Sequence, residues 1–229
     1  LKVVEFASVL AGPAVGMFFA ELGAEVIKIE NKTTGGDVTR GWKHPSESPE
    51  SPISAYWCSV NWGKEYLFLD LGEPGDRQKA IELAVSADVV ISNFKPSSAR
   101  RMGVDTQSLR DKNPRLIYAQ LSSFADEEDE SPAFDAVLQA EAGFMYMNGE
   151  PGRMPVKMPV ALIDVLAAHQ LKEAILLALL HRERTGVGMT VSTSLMESAL
   201  ASLANQAGNY LMNGHIPQRM GTRHPNIAP

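Results

Sequence analysis

The chain has 229 residues, 45% hydrophobic and 21% charged, with a formal net charge of −6, which is the composition of a soluble globular protein filling one large domain or one and a half ordinary ones. The acidic balance and the lack of a long Lys/Arg cluster argue against a nucleic-acid groove or an anionic membrane surface. One cysteine, Cys58, excludes an internal disulfide, and five histidines without HExxH or Cys/His spacing give no reason to expect a metal.

In chain order, Val3 to Phe6 read as a strand and "AGPAVGMFFAELGA" as a helix, with Pro13 in its first turn and Gly23 at its exit. "EVIKIE" reads as a second strand, which makes a closely spaced β-α-β pattern. Residues 31–54, polar with Gly and Pro throughout, read as a long loop. "EYLFLDL", "DVVISNF" and "RLIYAQLSSF" are further strands. Between them lie a helix over 73–87 and one or two short helices over 97–114. Strands alternating with helices imply an α/β, Rossmann-like open parallel sheet with flanking helices.

After Phe124 the pattern changes. "ADEEDES" reads as a solvated acidic loop, "AFDAVLQAEAGFMYMNG" as a helix ending near Gly149, and "EPGRMPVKMP" as loop. Residues 160–186 read as a long helix stopped by Gly186, followed by a strand over 189–195 and a helix over 196–214. The tail from His215 has no clear period and ends at Pro229 as if cut mid-domain, while the missing initiator Met suggests a trimmed start. The longest apolar runs, such as 174–180, are too short to span a bilayer, and no signal peptide is visible. The cytoplasm is the expected compartment and no membrane partner is expected.

Several residues could carry chemistry. The "AGP" turn after the first strand could bring backbone N–H groups to an anion, although it is not GxGxxG and ordinary turn chemistry accounts for it as well. Arg40, in "GGDVTRGW", could clamp a phosphate or carboxylate, or make a surface ion pair worth about 0–1 kcal/mol. "SNFKPSSARRMG" follows the fourth strand, where open parallel sheets bind ligands beyond their carboxyl ends. An amide, an aromatic ring and three cations there suit a stacked adenine with phosphates nearby, or a solvated surface loop. Asp164 heads the long helix. As an N-cap it is worth about 1 kcal/mol, and as an ionised carboxylate in an apolar site it could attack an activated carbonyl; the sequence permits both. His169 reads as a packed or capping-turn histidine. Ser122, Ser123 and Ser194 lack a GxSxG elbow, and Cys58 sits among aromatic residues as an inert thiol.

Together, "VLAGPAVGMFFAELGAEVIKIE", "GGDVTRGW", "SNFKPSSARRMGVD", "NPRLIYAQLSSF", "AFDAVLQAEAG" and "LLALLHRERTGVGMTVSTSLME" resemble the class III CoA-transferases, the family of formyl-CoA transferase and its carnitine and bile-acid relatives. They occur in family order over nearly the whole chain. The resemblance implies that residues 1–229 form most of a large Rossmann-like CoA-binding domain, with the smaller C-terminal domain mostly absent, in an intertwined homodimer. It implies transfer of CoA from an acyl-CoA thioester to a small carboxylic acid, which a dicarboxylic acid would satisfy. CoA and acyl-CoA would be substrates, with no tightly bound cofactor. Asp164 falls on the family's catalytic aspartate, which forms a mixed anhydride and then an aspartyl-CoA thioester. The CoA contacts carry over to Val9, Ala11, Leu69, Asn93, Phe94, Arg101 and Met102. Asn31, Gly72, Ser122, Phe124 and Leu10 depart from the family pattern and argue against formyl or oxalyl specificity. The family also includes α-methylacyl-CoA racemases, which pair the aspartate with a histidine where this chain has Phe134, so transfer is the stronger expectation over racemisation. A non-catalytic CoA-binding fragment is a further reading.

Overall fold

A computed structural model of the chain describes residues 1–126 and 131–227. Of the expected acidic loop, residues 127–130 lie outside the described residues, as does Pro229. Two compact units divide the chain: Leu1–Ser122 with Ala168–Thr193, and Ser123–Ala167 with Ser194–Pro229. The division runs within the stretch expected to form one Rossmann-like domain.

The first unit is built on β1 (Lys2–Phe6), β2 (Glu25–Asn31), β3 (Glu65–Leu69), β4 (Val89–Ser92), β5 (Ile117–Ser122) and β6 (Thr190–Ser194). They form one sheet in the order β3-β2-β1-β4-β5-β6, with β1 to β5 paired in parallel. The connecting helices are α1 (Ala11–Glu21), α2 (Ala55–Cys58), α3 (Pro74–Val85), α4 (Pro96–Met102) and α5 (Thr106–Arg110). In a parallel sheet covered on both faces the strands are apolar runs, and Val3, Val4, Val89, Val90 and Ile91 are all fully buried. One sheet face carries Val4, Phe6, Ile27, Ile29, Val90 and Tyr118 into a core with Ala80, Ala99, Val104 and Leu109. The helix that starts in "AGP" contacts β1, β2 and β4. Its Gly12 is a close-approach position, since a Cβ there would collide with the Cβ of Ala7. Helix-to-strand packing is therefore a sufficient reason for that glycine.

The second unit holds α6 (Asp135–Glu141), α7 (Phe144–Met147), α9 (Leu195–Ala201) and α10 (Ala204–Asn213). Two helices expected to be continuous are each broken. The first stops at Gly143, which adopts φ +84°, the left-handed conformation that ends helices. The second breaks at Ser202–Leu203, where Ala204 carries φ +47°. The long helix α8 (Leu162–Thr185) begins at Leu162, with Gly186 after it at φ +76°. Ser194 caps α9 in a reciprocal capping box with Glu197, which explains that buried serine without catalysis. His169, expected to be packed or to sit in a capping turn, is exposed within α8.

Candidate active site

The β1–α1 turn is where the sheet unit shows the most unusual backbone. Val9 sits at φ +73°, costly for a β-branched residue and kept only where the surroundings hold it. Its N–H donates to the Asp37 carboxylate, at 3.2 Å from Oδ2. The neighbouring Ser8 is tied to Asn93: its N–H donates to Asn93 Oδ1 at 3.2 Å, and Asn93 Nδ2 donates to its carbonyl at 3.0 Å. Both ends of the Asn93 amide thus fix the turn between β1 and β4.

Asp37 is itself anchored. It caps a short 3-10 turn by accepting from Thr39 N and Oγ1 at 3.0 and 2.8 Å. It also pairs with Lys28 at 3.2 Å. Lys28 Nζ in turn meets Glu5 at 2.9 Å and the Ala7 carbonyl at 2.6 Å. Lys64 closes the group from the far side, 2.8 Å from the other Glu5 oxygen. Burial works to lower the Lys28 pKa, but Glu5 and Asp37 outweigh it and hold the group above its ordinary value. Lys64 goes the other way: burial dominates, with Glu5 opposing and Lys28 adding, and its pKa falls to about 8. Glu5 and Lys28 are register partners on β1 and β2, so the sheet face opposite the apolar core carries a buried ladder of charges.

Arg40 differs from its expected place on the surface. It is buried and its guanidinium is committed to Glu30, with Nε at 2.6 Å from Oε2 and Nη2 at 2.8 Å from Oε1. The plane also lies over the rings of Trp57 and Tyr66, 4.1 and 4.7 Å from their centroids. A bidentate pair of this kind costs several kcal/mol if one partner is removed, because the other is left buried and alone. The side chain offered to a phosphate is spent on structure.

Above these groups, a cavity of about 550 Å³ opens at the carboxyl ends of the strands, the place where ligands sit in such sheets. It is lined by Phe6, Ala7 and Ser8 after β1, by Asn31 and Thr34 after β2, and by Leu69 to Gly72 after β3. Phe94 and Met102 complete it, the Phe94 ring lying 5.8 Å from that of Phe6. Three of the expected CoA contacts, Leu69, Phe94 and Met102, therefore line one cavity. Val9 and Ala11 belong to the turn beside it without lining it, Asn93 fastens that turn, and Arg101 is exposed on α4.

In the second unit, Asp164 is the third residue of α8, inside the first turn rather than at the cap. It is 8% exposed, and among the described residues its carboxyl makes no hydrogen bond or ion pair. The cap reading of the sequence is thereby corrected: Asp135 serves the helix start instead. Its Oδ1 accepts from the N–H of Ile163 at 2.7 Å. Its Oδ2 accepts from Gln139 Nε2 at 2.6 Å. Fully buried Gln139 also donates to the Val160 carbonyl at 3.2 Å and accepts from Met158 N at 2.8 Å. A helix N-terminus favours an ionised carboxylate by about 0.3–1 kcal/mol. Burial first, and the Asp135 carboxylate second, outweigh this and push the Asp164 pKa up to about 7. Phe134, where racemases carry a histidine, is exposed and has no proton to exchange.

The sequence reading missed Glu5, Lys28, Glu30, Asp37, Lys64, Asp135 and Gln139. A signal for Lys28 and Glu30 was present, because charges at alternate positions inside "EVIKIE" must be paired if that strand is buried. Nothing local marked Asp135, whose partner lies 28 residues further along the chain.

A sheet ordered 3-2-1-4-5-6 with a cavity over its carboxyl ends defines a doubly wound, ligand-binding α/β protein. The chain belongs to the CoA-transferase family III, whose model matches residues 1–229. It is similar to the succinate–glutarate CoA-transferase of Agrobacterium fabrum, 40% identical over 234 residues, covering 100% of this chain and 58% of that protein. It is 35% identical over 238 residues to the succinyl-CoA:mesaconate CoA-transferase of Haloarcula hispanica, covering 100% of this chain and 59% of that protein. The crystal structure of a CAIB/BAIF family protein from Brucella suis superposes with a TM-score of 0.92 at 40% identity, covering 100% of this chain and 61% of that one. The chain spans less than two thirds of the length of each of these relatives.

Proposed function

We propose that this chain carries the CoA-binding cavity and the nucleophile of a CoA-transferase that passes CoA from an acyl-CoA to a small dicarboxylic acid. Asp164 is the nucleophile. Its oxygen attacks the donor thioester carbonyl, the C–S bond breaks, and CoA leaves as the thiolate, giving a mixed anhydride. The thiolate attacks the aspartyl carbonyl carbon, releasing the donor acid and leaving an aspartyl-CoA thioester. The acceptor carboxylate then attacks that carbonyl, expelling the thiolate and forming a second anhydride. Thiolate attack on the acceptor's acyl carbon yields the new acyl-CoA and restores the Asp164 carboxylate. Covalent catalysis gains by splitting one hard exchange into easier steps.

The observation that carries this reading is the state of Asp164: a buried carboxyl in a helix's first turn, without a partner, whose pKa stands at about 7. A carboxylate of that basicity is more nucleophilic than an exposed one, and no hydrogen bond or ion pair among the described residues uses it for support. The two dicarboxylate-acting relatives supply the substrate class. The Leu69, Phe94 and Met102 wall of the cavity supports an adenine or pantetheine contact. The acceptor, the cytoplasmic location and the intertwined homodimer are part of the same proposal and rest on the family. In the complete gene product, incubation with succinyl-CoA followed by hydroxylamine will convert Asp164 to a hydroxamate detectable by peptide mass spectrometry. An Asp164→Ala protein that keeps full transferase activity refutes the covalent scheme.

A further inference from the structure

Among the described residues Asp164 makes no hydrogen bond or ion pair to fix its side chain, so its placement depends on what fixes the start of α8. The contacts around that start are dominated by one acid and one amide from α6. Asp135 reaches across 28 residues to accept from the N–H of Ile163, the residue before Asp164. Gln139, one helical turn after Asp135, grips its second oxygen and also Met158 and Val160, the last residues of the irregular approach to α8. A fully buried glutamine making three such bonds is rigid, because releasing it would strand polar groups at about 1–3 kcal/mol each.

We propose that Asp135, fixed by Gln139, is the positioning residue for Asp164: it holds the first turn of α8 and opposes a second negative charge beside it. The inference rests on the reading of Asp164 as the nucleophile. Its chemical consequence is a carboxyl kept basic in the free enzyme and ready to be neutralised on acylation, when an ester-like group replaces the charge that Asp135 disfavours. Asp135 does not touch the reacting atoms and acts through the turn and its field. Among the described residues it is the titratable group that acts on Asp164, from α8 or from any element packed against it. Burial contributes as well, in the same direction.

The test uses the complete gene product without substrate, labelled with ¹³C at aspartate Cγ, with the Asp164 resonance assigned by its loss in Asp164→Asn. Asp135→Asn keeps an oxygen for Ile163, removes the charge and gives up the bond accepted from Gln139, because an amide nitrogen does not accept. It should lower the Asp164 titration midpoint by about one pH unit, with exchange of the Ile163 amide no faster than in Gln139→Met. Gln139→Met keeps the charge and removes the tether. It should speed Ile163 exchange while leaving the midpoint high. In turnover, the acidic limb of the kcat/KM profile should move down with the midpoint in Asp135→Asn. An unmoved midpoint in Asp135→Asn, or the same shift in both variants, overturns the proposal. If Asp135→Asn does not fold, Gln139→Met decides: an Ile163 exchange rate left unchanged in that variant overturns the proposal. Because the titration needs no turnover, a shifted midpoint without a trapped acyl-Asp164 would sink the nucleophile and spare the positioning role, and a trapped adduct with an unmoved midpoint would do the reverse.

Discussion

At the scale of single residues, Asp164 shows a side chain held against its own preference. Its ordinary pKa is 3.8 and the folded chain raises it to about 7, burial acting first and Asp135 second. Between those values the folded state binds the proton and the unfolded state does not, so stability falls as pH rises from about 4 to about 7 and stays at the lower level above. Asp164→Asn is therefore expected to be more stable than the parent at pH 8 and equal to it near pH 3.5. The difference should grow by on the order of 1 kcal/mol for each pH unit crossed. Urea unfolding at several pH values measures this, and a difference that does not change with pH contradicts the reading. Transferase activity should rise through the same interval, because only the ionised carboxyl attacks. The candidate nucleophile was legible in the sequence through the motifs around it. Its environment was not, because Asp135 and Gln139 are brought to it by tertiary contacts that no local spacing records.

At the scale of elements, β1 and β2 are joined by more than their ladder. Glu5 is fully buried between Lys28 and Lys64. Removing one partner of such a group leaves uncompensated buried charge, at a cost of about 3–5 kcal/mol. Glu5→Gln should lower the unfolding free energy by that amount in denaturant titration at pH 7, whereas a loss under 1 kcal/mol would mean that water screens the cluster. The same elements show why the strands were readable and their charges were not given a role. "VVEF" and "EVIKIE" reveal strands by apolar content, but pairing across strands depends on register, Glu5 against Lys28, which a single sequence does not state. Arg40 and Asn93 were noticed as chemistry, and the fold also uses them as fasteners, to Glu30 and to Ser8, because a polar side chain beside a ligand cavity and one beneath it look alike in sequence. The helix breaks at Gly143 and Ser202 were missed because the apolar pattern runs on through each break.

At the scale of the molecule, strand and helix alternation was enough to give the open parallel sheet, and the cavity lies where the strand order predicts. Leu69, Phe94 and Met102, three of the expected CoA contacts, line it. If that wall holds the adenine end of CoA, Phe94→Ala should weaken CoA binding about tenfold in calorimetry, the loss of one stacking contact of about 1–3 kcal/mol. Unchanged affinity would move the nucleotide elsewhere. The relatives narrow the substrates to try, from the acyl-CoA and small acids that the motifs implied to succinate, glutarate and mesaconate.

The central claim is that the Asp164 carboxyl is esterified and regenerated in every cycle, and its oxygens record this. In the second half of the cycle the bridging oxygen of the anhydride comes from the acceptor and stays on Asp164 when thiolate attacks the acyl carbon. Turnover with an acceptor acid labelled with ¹⁸O in its carboxylates, followed by peptide mass spectrometry, should place heavy oxygen in the Asp164 peptide. Product that accumulates while that peptide remains unlabelled would contradict the account.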